Sequence, residues 1–81
     1  MAMLTIDERG KRCPVPVISL GRTAAGLSAG TSITVLADDP AAEQDIAAWC
    51  RMRGALFVGS QPAEDGPGRA FTVVLGESAD A

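Results

Sequence analysis

The chain has 81 residues, 47% of them apolar but only three aromatic (Trp49, Phe57 and Phe71), and a formal charge of −3. A chain of this length forms one small domain that buries roughly 60–65% of its unfolded surface, which leaves little room for a deep substrate pocket. The acidic balance argues against a nucleic-acid binder, no stretch approaches the roughly 20 apolar residues that span a membrane, and two cysteines without a histidine exclude a Cys–His catalytic pair and disfavour a zinc site.

Met3 to Asp7 (MLTID) alternates, with Leu4 and Ile6 on one side, and predicts a first strand. Glu8 to Arg12 is a polar connection containing Gly10. A helix is expected to begin at Pro14, because the N–H that proline lacks would have no intrahelical partner in the first turn. Pro16 lies in the same turn, and Val17, Leu20, Ala24 and Leu27 follow at helical spacing. Gly21 and Gly26 each cost about 1 kcal/mol relative to alanine, so this helix depends on packing. Gly30 is the expected stop.

Thr31 to Ala37 (TSITVLA) is rich in β-branched residues and predicts a second strand. In the ADDP of residues 37–40, Asp39 is expected to cap a second helix, with Pro40 at its first position. Glu43 and Asp45 near its start and Arg51 and Arg53 near its end complement the helix dipole, and Gly54 is the stop. Ile46, Trp49 and Cys50 share the face expected to meet the sheet. Ala55 to Gly59 (ALFVG) and Ala70 to Leu75 (AFTVVL) predict two further strands. Between them SQPAEDGPG is too long for a tight hairpin and is expected to be mobile.

The order is βαβαββ. The two crossovers favour parallel neighbours, and the last pair can be antiparallel. The expected fold is α+β, a two-layer α/β sandwich with a four-stranded mixed sheet and two helices packed on one face. A single domain over 1–81 follows, with its core over about 3–76 and a short disordered tail after Gly76. MAMLTIDERG has no basic segment leading into an apolar one, so a cytoplasmic protein is expected. Structural disulfides are rare there.

The chemistry concentrates in RCPVP, residues 12–16. Cys13 precedes a helix start and follows Lys11 and Arg12, and both settings lower a thiol pKa and favour the reactive thiolate. Pro14 and Pro16 supply rigidity rather than donors, which leaves the N–H groups of Val15 and Val17 nearest the sulfur. A thioredoxin-like site needs a second cysteine three positions on, and that position is Pro16. Cys13 can therefore accept a group and hold it, but has no neighbouring thiol to expel it as a disulfide.

The run D-x-x-G-x-x-C-P-x-P-V (Asp7, Gly10, Cys13, Pro14, Pro16, Val17) resembles the signature of the TusA/SirA family of sulfur carriers. A-D-D-P-A-x-x-x-D-I (residues 37–46) resembles the family's second block, as does the pair Trp49 and Cys50. The likeness runs from about residue 3 to residue 76. It implies that Cys13 carries sulfane sulfur as a persulfide, without a cofactor or a metal. The sulfur would come from a donor protein, a cysteine desulfurase or a rhodanese, and pass to the cysteine of an acceptor sulfurtransferase. Relatives feed tRNA thiolation, molybdenum cofactor synthesis or sulfur oxidation. The chain carries Arg22 where the family usually has lysine, which keeps the charge and changes the donor geometry.

Blander readings stand beside these. Free cysteine is usually a small buried hydrophobe, and this suits Cys50, on the apolar face beside Trp49, better than Cys13. A Cys13–Cys50 disulfide needs Cα atoms within about 7 Å and is not expected. Asp7 and Gly10 serve strand end and turn, Asp38 and Asp39 cap, and Asp45 is an exposed helical acid. Gly10, Lys11 and Arg12 with the two prolines support the thiol, while Arg9 and Arg22 are candidates for docking acidic partner surfaces. A carrier that meets both partners through one thiol is expected to be a monomer, with no direct contact to nucleic acid and no membrane insertion. The alternative is a non-catalytic docking or redox-sensing module that uses an exposed Cys13.

Overall fold

Alternation of buried and half-buried residues in the second strand fixes the layering. The computed structural model describes residues 3–76. Its elements are β1 (Met3–Asp7), α1 (Val15–Ala24), β2 (Ser32–Ala37), α2 (Ala42–Arg53), β3 (Leu56–Pro62) and β4 (Arg69–Val74). They form one four-stranded sheet of order β1-β2-β4-β3, in which β1 and β2 are parallel and β4 is antiparallel to both of its neighbours. The two crossovers do leave β1, β2 and β3 pointing the same way, but β4 is inserted between β2 and β3. The α+β sandwich with both helices on one face is as the sequence leads one to expect.

Ile33, Val35 and Ala37 of β2 point to the helices and are buried. Their register partners Val73 and Phe71 on β4, and Leu4 and Ile6 on β1, lie on the same side, since residues facing one another across a ladder share a face. Leu20 from α1 and Ile46, Trp49 and Cys50 from α2 close this core. On the other face Thr5, Thr34 and Thr72 line up across three strands. β-Branched polar residues suit a solvated sheet face.

Three of the four helix ends depart from expectation, by one residue at the start of α1, two at the start of α2 and about six at the end of α1. α1 begins at Val15 with Pro14 as its cap residue and Pro16 in its first turn, so Pro14 stands just outside the helix. The Cys13–Pro14 peptide bond is cis. α1 stops at Ala24, short of the expected stop at Gly30, because Ala25 turns extended and Gly26 takes the left-handed conformation (φ 83°). Leu27 therefore lies beyond the helix, yet still packs against the core. The cap residue of α2 is Ala41, not Asp39, and Pro40 lies in the preceding turn. Gly54 ends α2 at φ 69°, and Ala55 N–H reaches back to the Cys50 carbonyl at 2.9 Å.

The stretch expected to be a long mobile connection is partly strand. β3 passes through an irregularity at Val58 and continues to Pro62, leaving only residues 63–68 as loop, closed by Ala63 N–H on the Gly68 carbonyl at 3.1 Å. That loop is held at both ends. Asp65 accepts from Arg9 at 3.1 Å, and Gly68 (φ 91°) lies so near the end of β2 that a Cβ there would sit 2.6 Å from the Ala37 carbonyl oxygen. The tail after Gly76, expected to be disordered, lies outside the described residues.

Gly21 is a different case. A Cβ there would lie 3.5 Å from Trp49 Nε1, an ordinary contact. Gly21→Ala is therefore expected to raise stability by about 0.5–1 kcal/mol through helix propensity, read as a higher midpoint in urea denaturation. A fall would show that α1 and α2 meet more tightly than this.

Candidate functional site

Parallel β1 and β2 bring the connections that follow them to the same end of the sheet, where open α/β sheets commonly place their chemistry. Residues 8–14 follow β1 and residues 38–41 follow β2, so the two sequence blocks singled out above meet here. Asp38 accepts the Gly10 N–H with both carboxylate oxygens, at 3.0 and 3.1 Å. Asp39 accepts the Cys13 N–H with Oδ2 at 3.3 Å and the Ala41 N–H with Oδ1 at 2.8 Å. The adjacent aspartates, expected to cap α2, thus clamp the cysteine loop instead. Gly10 serves this clamp by conformation, since its φ is 84° and a Cβ would meet nothing within 4 Å.

A second anchor was not singled out from the sequence. Glu8 is 7% exposed, and its carboxylate accepts from Ser19 Oγ at 2.7 Å and from Lys11 Nζ at 3.3 Å. Its own N–H donates to the Leu36 carbonyl at 2.7 Å. An acid directly after a strand gives no sequence signal for this, except that its partners Lys11 and Ser19 flank the CPVP turn.

The cations divide into two pairs. Arg9 is bound to Asp7 (Nη2–Oδ2 2.7 Å) and to Asp65, and its hydrogen bonds push the Asp7 carboxyl down to about 2. Lys11 turns to Glu8. Arg12 and Arg22 are exposed and have no acidic partner among the described residues. Val15 and Ile18, exposed by 41% and 47%, share an α1 face with Arg22 by their spacing of three and four. That strip begins two residues from the thiol.

Cys13 itself is half-buried and packs against the core rather than standing fully out. The expected lowering of its pKa is reversed. Burial pushes the thiol up to about 11, and the nearby carboxylates of Asp45 and Asp39 add to this. The Val15 N–H, expected to face the sulfur, is bound to the Arg12 carbonyl at 2.9 Å. Asp45 is half-buried, not the exposed helical acid expected. Cys50 is 2% exposed in the core, its thiol pushed up to about 11 by burial, and both cysteines are free. Among the described residues no three His, Cys, Asp or Glu side chains gather as a metal site, and no helix is long and apolar enough to cross a membrane.

Comparison with known proteins bears on this arrangement. The family model described as sulfurtransferase TusA matches residues 4–74. The crystal structure of a SirA-like protein from Desulfitobacterium hafniense is similar over 93% of this chain and all of that one, with 33% sequence identity and a TM-score of 0.78.

Proposed function

Because the chain belongs to the TusA sulfurtransferase family, we propose that it is a sulfur carrier that holds sulfane sulfur as a persulfide on Cys13. The observation that supports this most directly is the clamp. Asp38 and Asp39 fix Gly10 and Cys13 by their backbone N–H groups, so the loop holds one thiol at the mouth of the sheet with no second thiol beside it.

Cys13 attacks the outer sulfur of a donor persulfide. The donor's S–S bond breaks as the new one forms, and the donor leaves as a thiolate. One S–S bond forms for the one that breaks, so no net redox change occurs, and the proton that Cys13 gives up is matched by the one the donor thiol regains. Attack by an acceptor cysteine on the terminal sulfur repeats the exchange. Recognition is between proteins, with the Val15, Ile18 and Arg22 strip as the docking surface. Gly10, Pro14 and Pro16 set the thiol's position. Lys11 acts indirectly, by bracing Glu8, and Arg12 stays available to a partner. The donor is a cysteine desulfurase or a rhodanese, the acceptor a sulfurtransferase, and the carrier works as a monomer in the cytoplasm.

Intact-protein mass spectrometry after incubation with a desulfurase and cysteine, or a rhodanese and thiosulfate, tests this. One added sulfur atom, mapped to Cys13 and removed by reductant, is the expected result. No adduct from either donor, with Cys13 still open to alkylation, would favour the docking module instead.

A further inference from the structure

Glu8 is the one buried acid among the described residues. Its backbone carries the β1–β2 ladder a step past Asp7, with its N–H on the Leu36 carbonyl at 2.7 Å, so it is fixed to the sheet. Its carboxylate accepts from Lys11 Nζ in the loop at 3.3 Å and from Ser19 Oγ on α1 at 2.7 Å. Among the described residues, the Ser19 bond is the only hydrogen bond made by a side chain of α1, which has no side-chain cap. The buried Pro16 and Leu20 hold α1 down by apolar packing, which has no direction.

A carboxylate is not needed here for stability, since apolar side chains of similar volume commonly serve as well or better at buried positions. What it supplies is direction. By helical spacing, Ser19 lies between the buried Pro16 and Leu20 and the outward strip of Val15, Ile18 and Arg22. A bond taken from that flank fixes the rotation of α1 about its own axis. The loop at the thiol is held from elsewhere, by Asp39 on the Cys13 N–H at 3.3 Å. We infer that Glu8 and Ser19 are positioning residues, whose bond sets the offset between the docking strip on α1 and the Cys13 sulfur. This deepens the carrier reading and rests on it for what the offset serves. Without the bond the strip still binds its partner, but the two sulfurs meet out of line, and the thiol loop opens more often.

Alkylation of Cys13 by iodoacetamide at one pH, mapped by peptide mass, tests the positioning without a sulfur donor. Cys50, 2% exposed in the core, is the internal control for general loosening. Ser19→Ala places the best helix former in α1 and should fold. It is expected to react about tenfold faster at Cys13, as when one hydrogen bond to a charged group no longer holds the loop closed, with Cys50 unchanged. Ser19→Thr keeps the hydroxyl and should restore the parent rate. In a Glu8→Met background, Ser19→Ala should add nothing, because the bond is already gone. An unchanged Cys13 rate in folded Ser19→Ala, an equal rise at Cys50, or the full effect persisting in the Glu8→Met background overturns the inference. With a desulfurase and cysteine, Ser19→Ala should load sulfur about tenfold more slowly at saturating desulfurase, with the half-saturating concentration unchanged. Loading at the parent's rate overturns the inference as well. A parent that takes up no sulfur sinks the carrier reading and leaves the alkylation result readable.

Discussion

Serine in place of Cys13 is expected to take up no sulfur from either a desulfurase or a rhodanese, while unfolding within about 1 kcal/mol of the parent. A hydroxyl is not a nucleophile at neutral pH without an activating base, and oxygen cannot replace sulfur in a persulfide. The fold has little reason to respond. The half-buried side chain loses only the difference between sulfur and oxygen, and its backbone N–H keeps its bond to Asp39. The variant also separates the two functional readings. A carrier retains partner affinity, measured by calorimetry, and loses transfer. A docking module retains both its affinity and its cellular role, and that outcome would remove persulfide chemistry from the account.

Ile46→Ala has the largest expected effect on stability. Ile46 is fully buried on the inner face of α2, and truncating such a side chain costs about 2–5 kcal/mol once the residual cavity is included. A domain of this length has a total of about 4–12 kcal/mol, so a large share would be lost. Trp49, buried three residues further along the same helix, reports the transition by its fluorescence in urea. A loss below about 1 kcal/mol would mean that α2 meets the sheet through other residues.

Much of this fold is written in local pattern. Ile33, Val35 and Ala37 alternate with residues of the open face, and Ile46, Trp49 and Cys50 recur at helical spacing, so the core residues of β2 and α2 are legible one by one. The insertion of β4 between β2 and β3 is not, because no short-range feature says which strand a β-branched segment will pair with. Helix starts slipped for a related reason. The prolines at 14 and 40 each suit a first turn, but Asp38 and Asp39 are drawn to backbone donors 28 and 26 residues away, and the ADDP segment forms a turn before its helix begins.

The site divides the same way. That Cys13 is the candidate reactive residue follows from its prolines and from its place just before a helix start. Its electrostatic surroundings do not, because neighbours in sequence are not neighbours in space. Lys11 lies two positions away yet is bound to Glu8, whereas Asp39, 26 positions away, holds the Cys13 N–H at 3.3 Å. Two signals were available. Asp38 and Asp39 are one acid more than a cap requires, and Asp45 directly precedes Ile46 and so sits at the margin of the buried face of α2.

The strand order also constrains how the chain is made. By the time Pro62 has been synthesised, three of the four strands exist, but β3 has no partner, since its only neighbour among the described residues is β4. β2 at that stage is paired on one side alone. Residues 69–74 complete both ladders together, so the sheet assembles late and as a unit, not strand by strand behind the ribosome. Until then the thiol loop lacks its finished support, and a nascent chain halted before residue 69 would present β2 and β3 as unpaired edges open to other chains. The Cys13 end of the molecule is thus among the first parts translated and among the last to be secured.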